Sequence, residues 1–210
     1  MKLNTARAKQ IDAYLENHVE QSSTDEKMKI PYGGGLHPHS VYKITFKYLV
    51  YNIRNGRFRA ELLEKEEDLK RRLDSTEKQD AEIIKTLLLN QDKNATEILK
   101  ADLKKHGQID PGIITFDGAV INANRRMAIL SELFEETRDT RFSFLRVARL
   151  PQGVEETDIW RIEAGLQFAK DFRLDYAGIN ELLKLKDGIN DGLTPRDIKR
   201  RMIRFFIQSY

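Results

Sequence analysis

The sequence predicts an α+β protein, in which a small mixed sheet with flanking helices is followed by a helical C-terminal region. Three observations predict this class. Apolar residues alternate or run together in short segments over residues 41–53 and 109–150, as they do in strands. Between these segments, and again after residue 153, they recur at the three- and four-residue spacing of amphipathic helices. Of the 210 residues, 40% are hydrophobic and 33% are charged, which suits a globular chain with several exposed helices.

The first 40 residues predict a helix and a glycine-rich loop. The helix covers residues 5–20, where apolar residues recur at helical spacing. Residues 31–39 contain three glycines and two prolines, and this composition predicts a loop without regular structure. His37 and His39 lie in that loop without other clustered ligands, so no metal site is predicted.

Residues 41–150 predict the sheet domain itself. Residues 41–53 fit one or two strands. Residues 59–107 are rich in charged helix formers and predict a solvated helical insertion that ends near Gly107. Asp117-Gly118 predicts a hairpin turn. The strands around it, a helix and a last strand are predicted at residues 109–116, 119–121, 124–135 and 141–150.

Residues 151–210 predict only helices, over 154–172, 176–189 and 194–207. The last two resemble the start of a helix-turn-helix, with Thr194 as a cap. A basic face on the final helix could contact DNA phosphates, through Arg196, Lys199, Arg200, Arg201 and Arg204. The apolar residues 205–207 near the end predict either a chain cut short or a homodimer contact through the C-terminal helices.

Composition excludes several classes of site. The chain has no cysteine, which rules out disulfides, thiolate nucleophiles and cysteine-ligated zinc or iron–sulfur clusters. No apolar run approaches the roughly 20 residues that span a bilayer, so a cytoplasmic protein without a membrane contact is expected. The net charge of +3 indicates nothing about nucleic acid by itself.

The segment 118–130 carries the most specific chemical signal. A short strand leads into a tight turn at Asn122, and a helix then starts with Asn124, Arg125 and Arg126. Helix N-termini present backbone N–H groups and a partial positive charge. Arginines at such a point predict a site for phosphate or another anion, although a surface salt bridge is the alternative for any arginine pair.

Three segments together resemble the ParB/sulfiredoxin superfamily. The central one, residues 103–130, has a helix ending in glycine, a strand beginning near proline, a short hairpin, and an Arg-Arg box opening a helix. Residues 49–57 resemble the family's early strand with its Asn-Pro-Arg element, with Gly56 in place of proline. Residues 162–167 lie where the family has a Glu-Asn-Leu-Gln-Arg box. The resemblance covers about residues 43–205, interrupted by the charged insertion.

The resemblance implies a bacterial or phage protein that binds DNA and a nucleoside triphosphate, CTP or ATP, with Mg²⁺. The implied phosphate contacts come from Asn122, Asn124, Arg125, Arg126, Arg54, Asn55, Arg57 and Gln167. The family's glycine is Ala123 here, its glutamate is Asn124, and the arginine of the last box is Phe168. The missing cysteine excludes sulfiredoxin chemistry, and the other departures argue against strict CTP hydrolysis.

Two alternatives to a nucleotide-binding domain stay open. One is a ParB-like enzyme, either a DNA nuclease or a phosphotransferase, with Glu163 as a catalytic carboxylate that activates water or holds a metal. In the simpler interpretation Glu163 pairs with an arginine. The other alternative is a degenerate domain that contacts only DNA and protein partners.

Overall fold

The computed structural model describes residues 3–54, 56, 58–171, 186–194 and 197, with the backbone alone over 167–171. It confirms the α+β class, with a mixed sheet and flanking helices. Its strands are β1 Ser23–Tyr32, β2 Gly35–Thr45, β3 Val50–Tyr51, β4 Gly112–Ile114, β5 Ala119–Asn122 and β6 Phe144–Arg149. Its helices are α1 Thr5–Asn17, α2 Val19–Ser22, α3 Arg59–Leu69, α4 Lys78–Asn90, α5 Lys93–His106, α6 Asn124–Thr137 and α7 Glu156–Asp171. Residues 186–190 are also helical.

The six strands form one sheet in the order β1-β2-β6-β4-β5-β3. The pairs β1/β2, β2/β6 and β4/β5 are antiparallel, whereas β4/β6 and β3/β5 are parallel. The two short central strands are buried throughout apart from Asn122, which is half-buried. Their continuous apolar runs follow from this burial, because helices cover both faces of the sheet.

Two hydrophobic cores lie on opposite faces of the sheet. The larger core contains Ile44, Val120 and Leu145 from the strands, together with Ile129 and Leu133 from α6. The smaller core joins β1, β2, β4, β5 and β6 to α7. The start of α6 and one side of α7 both contact Asn52, which follows β3.

Residues 31–39 are not the irregular loop that the sequence predicts. They form the tip of a long β1–β2 hairpin, and the two residues of its turn are Gly33 (φ 55°) and Gly34 (φ 79°). Two positive φ angles are what a tight hairpin turn of this hand requires. Pro31 lies on the edge strand, and Pro38 lies on the part of β2 that pairs with β1 alone. The missing N–H of each proline is therefore tolerated at the sheet edge.

The predicted insertion over residues 59–107 is helical, but it is not merely solvated. Its three helices contribute Leu62, Ile84, Leu88 and Leu103 to the larger core, and each of these side chains is buried. The charged residues lie on the outer faces, while one apolar stripe of each helix faces inward. The region is thus part of the packed domain.

The other predicted helices lie partly inside and partly outside the described residues. The helix predicted over 5–20 is divided at His18 into α1 and α2. The helices predicted over 176–189 and 194–207 lie outside the described residues, apart from residues 186–194 and 197.

Candidate functional site

The predicted site begins at the loop that follows β3. The backbone N–H of Asn52 donates to Oδ1 of Asn124, at 3.1 Å, and Nδ2 of Asn124 donates to the carbonyl of Val120, at 2.8 Å. Asn124 is 3% exposed. Its side chain therefore connects the loop, strand β5 and the first residue of α6, and these contacts occupy the amide that the sequence predicts as a phosphate contact.

Glu163 extends this chain of hydrogen bonds into α7. Its Oε2 accepts from Nδ2 of Asn52 and its Oε1 accepts from the backbone N–H of Gly56, each at 3.1 Å. The residue is 2% exposed. A buried carboxylate needs such donors, because desolvation of an unpaired charge is costly. Both oxygens thus help to hold the 52–56 loop against α7.

Arg54 lies at the surface of the same junction. Its guanidinium contacts the carboxylates of Glu156, at 3.0 Å, and Asp191, at 2.6 Å. Burial opposes the charge on Arg54, but the hydrogen bond to Asp191 and the charges of neighbouring carboxylates outweigh it and raise the arginine's pKa. Arg54 therefore stays a cation and connects the loop to α7 and to the segment 186–194.

The arginine pair at the start of α6 contacts other parts of the protein. Nη2 of Arg125 donates to Oε1 of Gln91, at 2.8 Å, between α4 and α5. Nη1 of Arg126 donates to the carbonyl of Asp110, before β4. Neither side chain lines the cleft beside Arg54. Asn122 accepts a hydrogen bond from the N–H of Ile113, at 2.5 Å, and so joins β5 to β4.

Ala123 gives the turn before α6 an unusual backbone. Its φ of 77° and ψ of 16° lie in the left-handed region, which costs a residue with a Cβ about 1–2 kcal/mol. As the N-cap residue it has no side chain that could bond to the helix N–H groups. Strain of this kind is concentrated at functional turns, and it lies where the resemblance implies a phosphate contact.

The cleft beside Arg54 has a mixed lining and little internal room. Its volume is about 30 Å³, enough for about two water molecules. Thr115, Ile121 and Trp160 form part of its walls. Among the described residues that line it, the ionisable side chains are one arginine, Arg54, and three carboxylates, of Glu156, Glu163 and Asp191.

Sequence reasoning missed several residues of this junction. Glu163 is among the predicted site residues, but Glu156 and Trp160, seven and three positions before it, are not. A helical projection of α7 places all three on one face. The polar Asn52 follows directly after β3, whose last residue Tyr51 is buried, at a position where functional side chains are common. Asp191 lies beyond any local signal, since only tertiary packing brings it to Arg54.

Several predicted site residues cannot be compared with the structure. Asn55 and Arg57 lie outside the described residues, and of Gln167 only the backbone in α7 is described. The predicted DNA contacts also lie outside, namely Arg196, Lys199, Arg200, Arg201 and Arg204.

Comparisons with protein-family models, curated proteins and solved structures find no match. Among the described residues, no helix has the length and apolar character needed to cross a membrane. Over the same part of the chain, no group of three or more histidine, aspartate or glutamate side chains is arranged to hold a metal ion.

Proposed function

We propose that this chain is a ParB-like domain that binds a nucleoside triphosphate, CTP or ATP, where the 52–56 loop, the start of α6 and the face of α7 meet. One observation carries the proposal. Residues far apart in sequence, Asn52, Asn124 and Glu163, are joined by hydrogen bonds at one end of the sheet. The resemblance draws on the same three segments. The order of α5, Gly107, the β4–β5 hairpin and α6 also agrees with the family pattern.

The charges of the cleft indicate how a triphosphate would bind. Among the described residues that line the cleft, three carboxylates and one arginine make unfavourable surroundings for a bare polyanion. A divalent cation removes this difficulty, because Mg²⁺ is usually held by substrate phosphates with one or two carboxylates. Glu156, which is 43% exposed on its side chain, is the accessible carboxylate beside Arg54. We therefore expect binding to require Mg²⁺, with Arg54 contacting a phosphate.

A second candidate, a degenerate domain that contacts only DNA and protein partners, is favoured by two observations. The cavity is far smaller than the 300–1,000 Å³ that is usual for a ligand pocket. The contacts of Arg125 and Arg126 to Gln91 and Asp110 serve the protein itself. The enzyme alternative is weaker, since both oxygens of Glu163 accept hydrogen bonds that order the loop.

A nucleotide titration distinguishes these candidates. Trp160 is the only tryptophan of the chain and lines the cleft, so its fluorescence reports on occupancy there. We expect one or more of CTP, ATP, GTP and UTP to change that fluorescence in the presence of Mg²⁺. Arg54→Gln should weaken the affinity about tenfold, which corresponds to the loss of one hydrogen bond to a charged group. Calorimetry of the same samples gives the affinity independently.

Three further variants make the result specific. Arg72→Gln removes an arginine charge outside the cleft, where the side chain is 76% exposed, and should leave the affinity unchanged. Arg126→Ala tests whether the arginine pair at the start of α6 contributes to the affinity for the nucleotide. Ala123→Gly relieves the left-handed strain and lets a phosphate approach the backbone more closely, so binding should be retained or tightened. If no nucleotide binds at any Mg²⁺ concentration, the degenerate domain is the better interpretation.

Coupling to DNA belongs to the same proposal. The proposed DNA contacts are the basic residues of the predicted last helix, and they are proposed from the charge of these residues alone. If they contact phosphates, duplex affinity must fall steeply with salt, and replacing Arg200 and Arg204 by glutamine must flatten that dependence.

A further inference from the structure

A second groove lies along the first residues of β6 and shares no lining residue with the cleft beside Arg54. Its volume is about 380 Å³, within the range of small-ligand sites. The residues that give it chemical character come from β2, the end of α5, the turn before β6, and β6 itself. They are Lys43, His106, Arg141, Phe144 and Arg146.

The groove carries positive charge at a cost to the fold. Lys43 and Arg146 lie directly opposite each other on the antiparallel strands β2 and β6. Like charges at such positions destabilise a sheet. Arg146 is balanced by Glu26 and held by the backbone carbonyls of Gln108 and Ile109. None of the described residues that line the groove is a carboxylate.

Further basic side chains line the groove or precede its residue His106 in the chain. Arg141 is 67% exposed and contacts Asp139 at 2.8 Å, which fixes the guanidinium beside the groove. Lys104, Lys105 and His106 form the last turn of α5, and all three are exposed. Lys43, Arg141 and Arg146 thus line the groove as cations, and His106 connects it to the exposed end of α5.

An aromatic side chain lies among these cations. Phe144 is half-buried, and the ammonium of Lys43 is 5.4 Å from the centre of its ring. Ile109, 63% exposed, adds apolar surface next to the groove. A positively charged groove with an accessible aromatic ring is the arrangement with which proteins bind single-stranded nucleic acid, through stacked bases and neutralised phosphates.

We propose that this groove binds single-stranded nucleic acid, with a base against Phe144 and the flanking phosphates on Lys43 and Arg141. A duplex is disfavoured, because its bases are stacked internally and cannot reach a ring inside a groove. An acidic peptide would use the cations but would have no need of the ring. The site is independent of the proposed nucleotide cleft, since the two have no residue in common.

Fluorescence anisotropy of the full chain with a labelled oligothymidine tests this inference. Phe144→Leu should weaken binding about tenfold, within the range measured for the loss of one stacked base. Phe144→Tyr keeps a stacking ring and should bind as the wild type does. Lys43→Gln and Arg141→Gln should each lower the slope of log affinity against log salt by about 0.7. Thermal unfolding of each variant shows that the comparison is made between folded proteins.

Controls distinguish binding in the groove from nonspecific electrostatic attraction and from binding in the nucleotide cleft. Arg72→Gln removes a charge that lines neither site and should have no effect. The oligonucleotide should leave Trp160 fluorescence unchanged, since this residue lines the other cleft. Unchanged affinity in folded Phe144→Leu overturns the proposal. So does equal competition by a glutamate-rich peptide of the same charge, or by a duplex when Arg200 and Arg204 are replaced by glutamine to remove the proposed duplex contacts.

Discussion

Gly118 shows how one residue fixes the relation between the N-terminal helix and the sheet. It has a φ of 84° in the β4–β5 turn, and its carbonyl accepts a hydrogen bond from the N–H of Val50 at 3.0 Å. A Cβ added there would lie 2.5 Å from the carbonyl oxygen of Tyr48 and 2.8 Å from the side chain of Ile11. Its neighbour Asp117 is buried and accepts hydrogen bonds from the N-terminal segment. The turn is therefore a packing site for α1 as well as a strand connection.

Gly118→Ala should be strongly destabilising, and Gly153→Ala is the matched control. Both glycines have a similar φ, 84° and 89°, but a Cβ at Gly153 would meet no atom within 4 Å. The control should lose about 1–2 kcal/mol from left-handed strain alone. Gly118→Ala should lose about 1–3 kcal/mol more, because the obstacle is backbone. Urea denaturation measures both losses, and equal values would show that the contact with Tyr48 can relax.

The order of helices and strands could largely be predicted from apolar periodicity, whereas the hairpin tip could not. In long amphipathic segments such as α5 and α6, apolar residues recur at helical spacing often enough to predict a helix. The composition of residues 31–39 is shared by irregular loops and by hairpins at sheet edges. Only the position of β1 at the edge makes its proline acceptable, and that position is set by long-range pairing. In the same way, the many charged residues over 59–107 predict solvated helices and obscure the apolar residues on each helix that pack in the larger core.

An ion pair between Arg71 and Asp80 stabilises the connection between α3 and α4, and acid should break it. Asp80 is buried near the start of α4 and receives two hydrogen bonds from Arg71, at 2.6 and 2.8 Å, and one from the N–H of Asp74. The hydrogen bonds from Arg71 are the main reason why the pKa of Asp80 is lowered to about 2. The unfolded chain takes up this proton first as the pH falls, near an ordinary aspartate pKa of about 3.9. The stabilisation is therefore complete above that pH and is lost as the pH falls towards 2.

Thermal unfolding between pH 5 and pH 2 checks this assignment. The wild type should lose stability through that interval. In Arg71→Gln the pKa of Asp80 returns towards its ordinary value. The stabilisation that Asp80 contributes should therefore be smaller in this variant and should be lost at a higher pH. Asp68→Asn, at an exposed position on α3, serves as the control and should leave the acid profile unchanged. A profile of Arg71→Gln that is parallel to the wild type throughout would show that this pair does not contribute to acid sensitivity.

For the candidate site, the sequence indicates which segments meet but not where each side chain points. The resemblance relates residues 49–57, 122–126 and 162–167, and the structure joins all three through Asn52 and its partners. The direction of Arg125 depends on Gln91, which lies in the helical insertion outside the resemblance. Arg126 donates to the backbone carbonyl of Asp110, an acceptor that the residue type at position 110 does not reveal. A helix start defines where the backbone N–H groups lie, whereas long arginine side chains follow whichever acceptors the tertiary structure supplies.

Glu163→Gln tests whether this hydrogen-bond chain holds the site together. The substitution keeps the shape of the side chain, but its amide nitrogen must face one of two donors, either Asn52 or the N–H of Gly56. We expect a loss of about 1–3 kcal/mol in the free energy of unfolding, the usual cost of an unsatisfied buried polar group. The amide of Gly56 should also exchange with deuterium much faster than in the wild type. Glu155→Gln, at an exposed position just before α7, should change neither quantity. Faster exchange without nucleotide, combined with weaker Mg²⁺-dependent binding, would connect the order of the loop to the proposed function. An unchanged exchange rate would show that Glu163 does not position the loop.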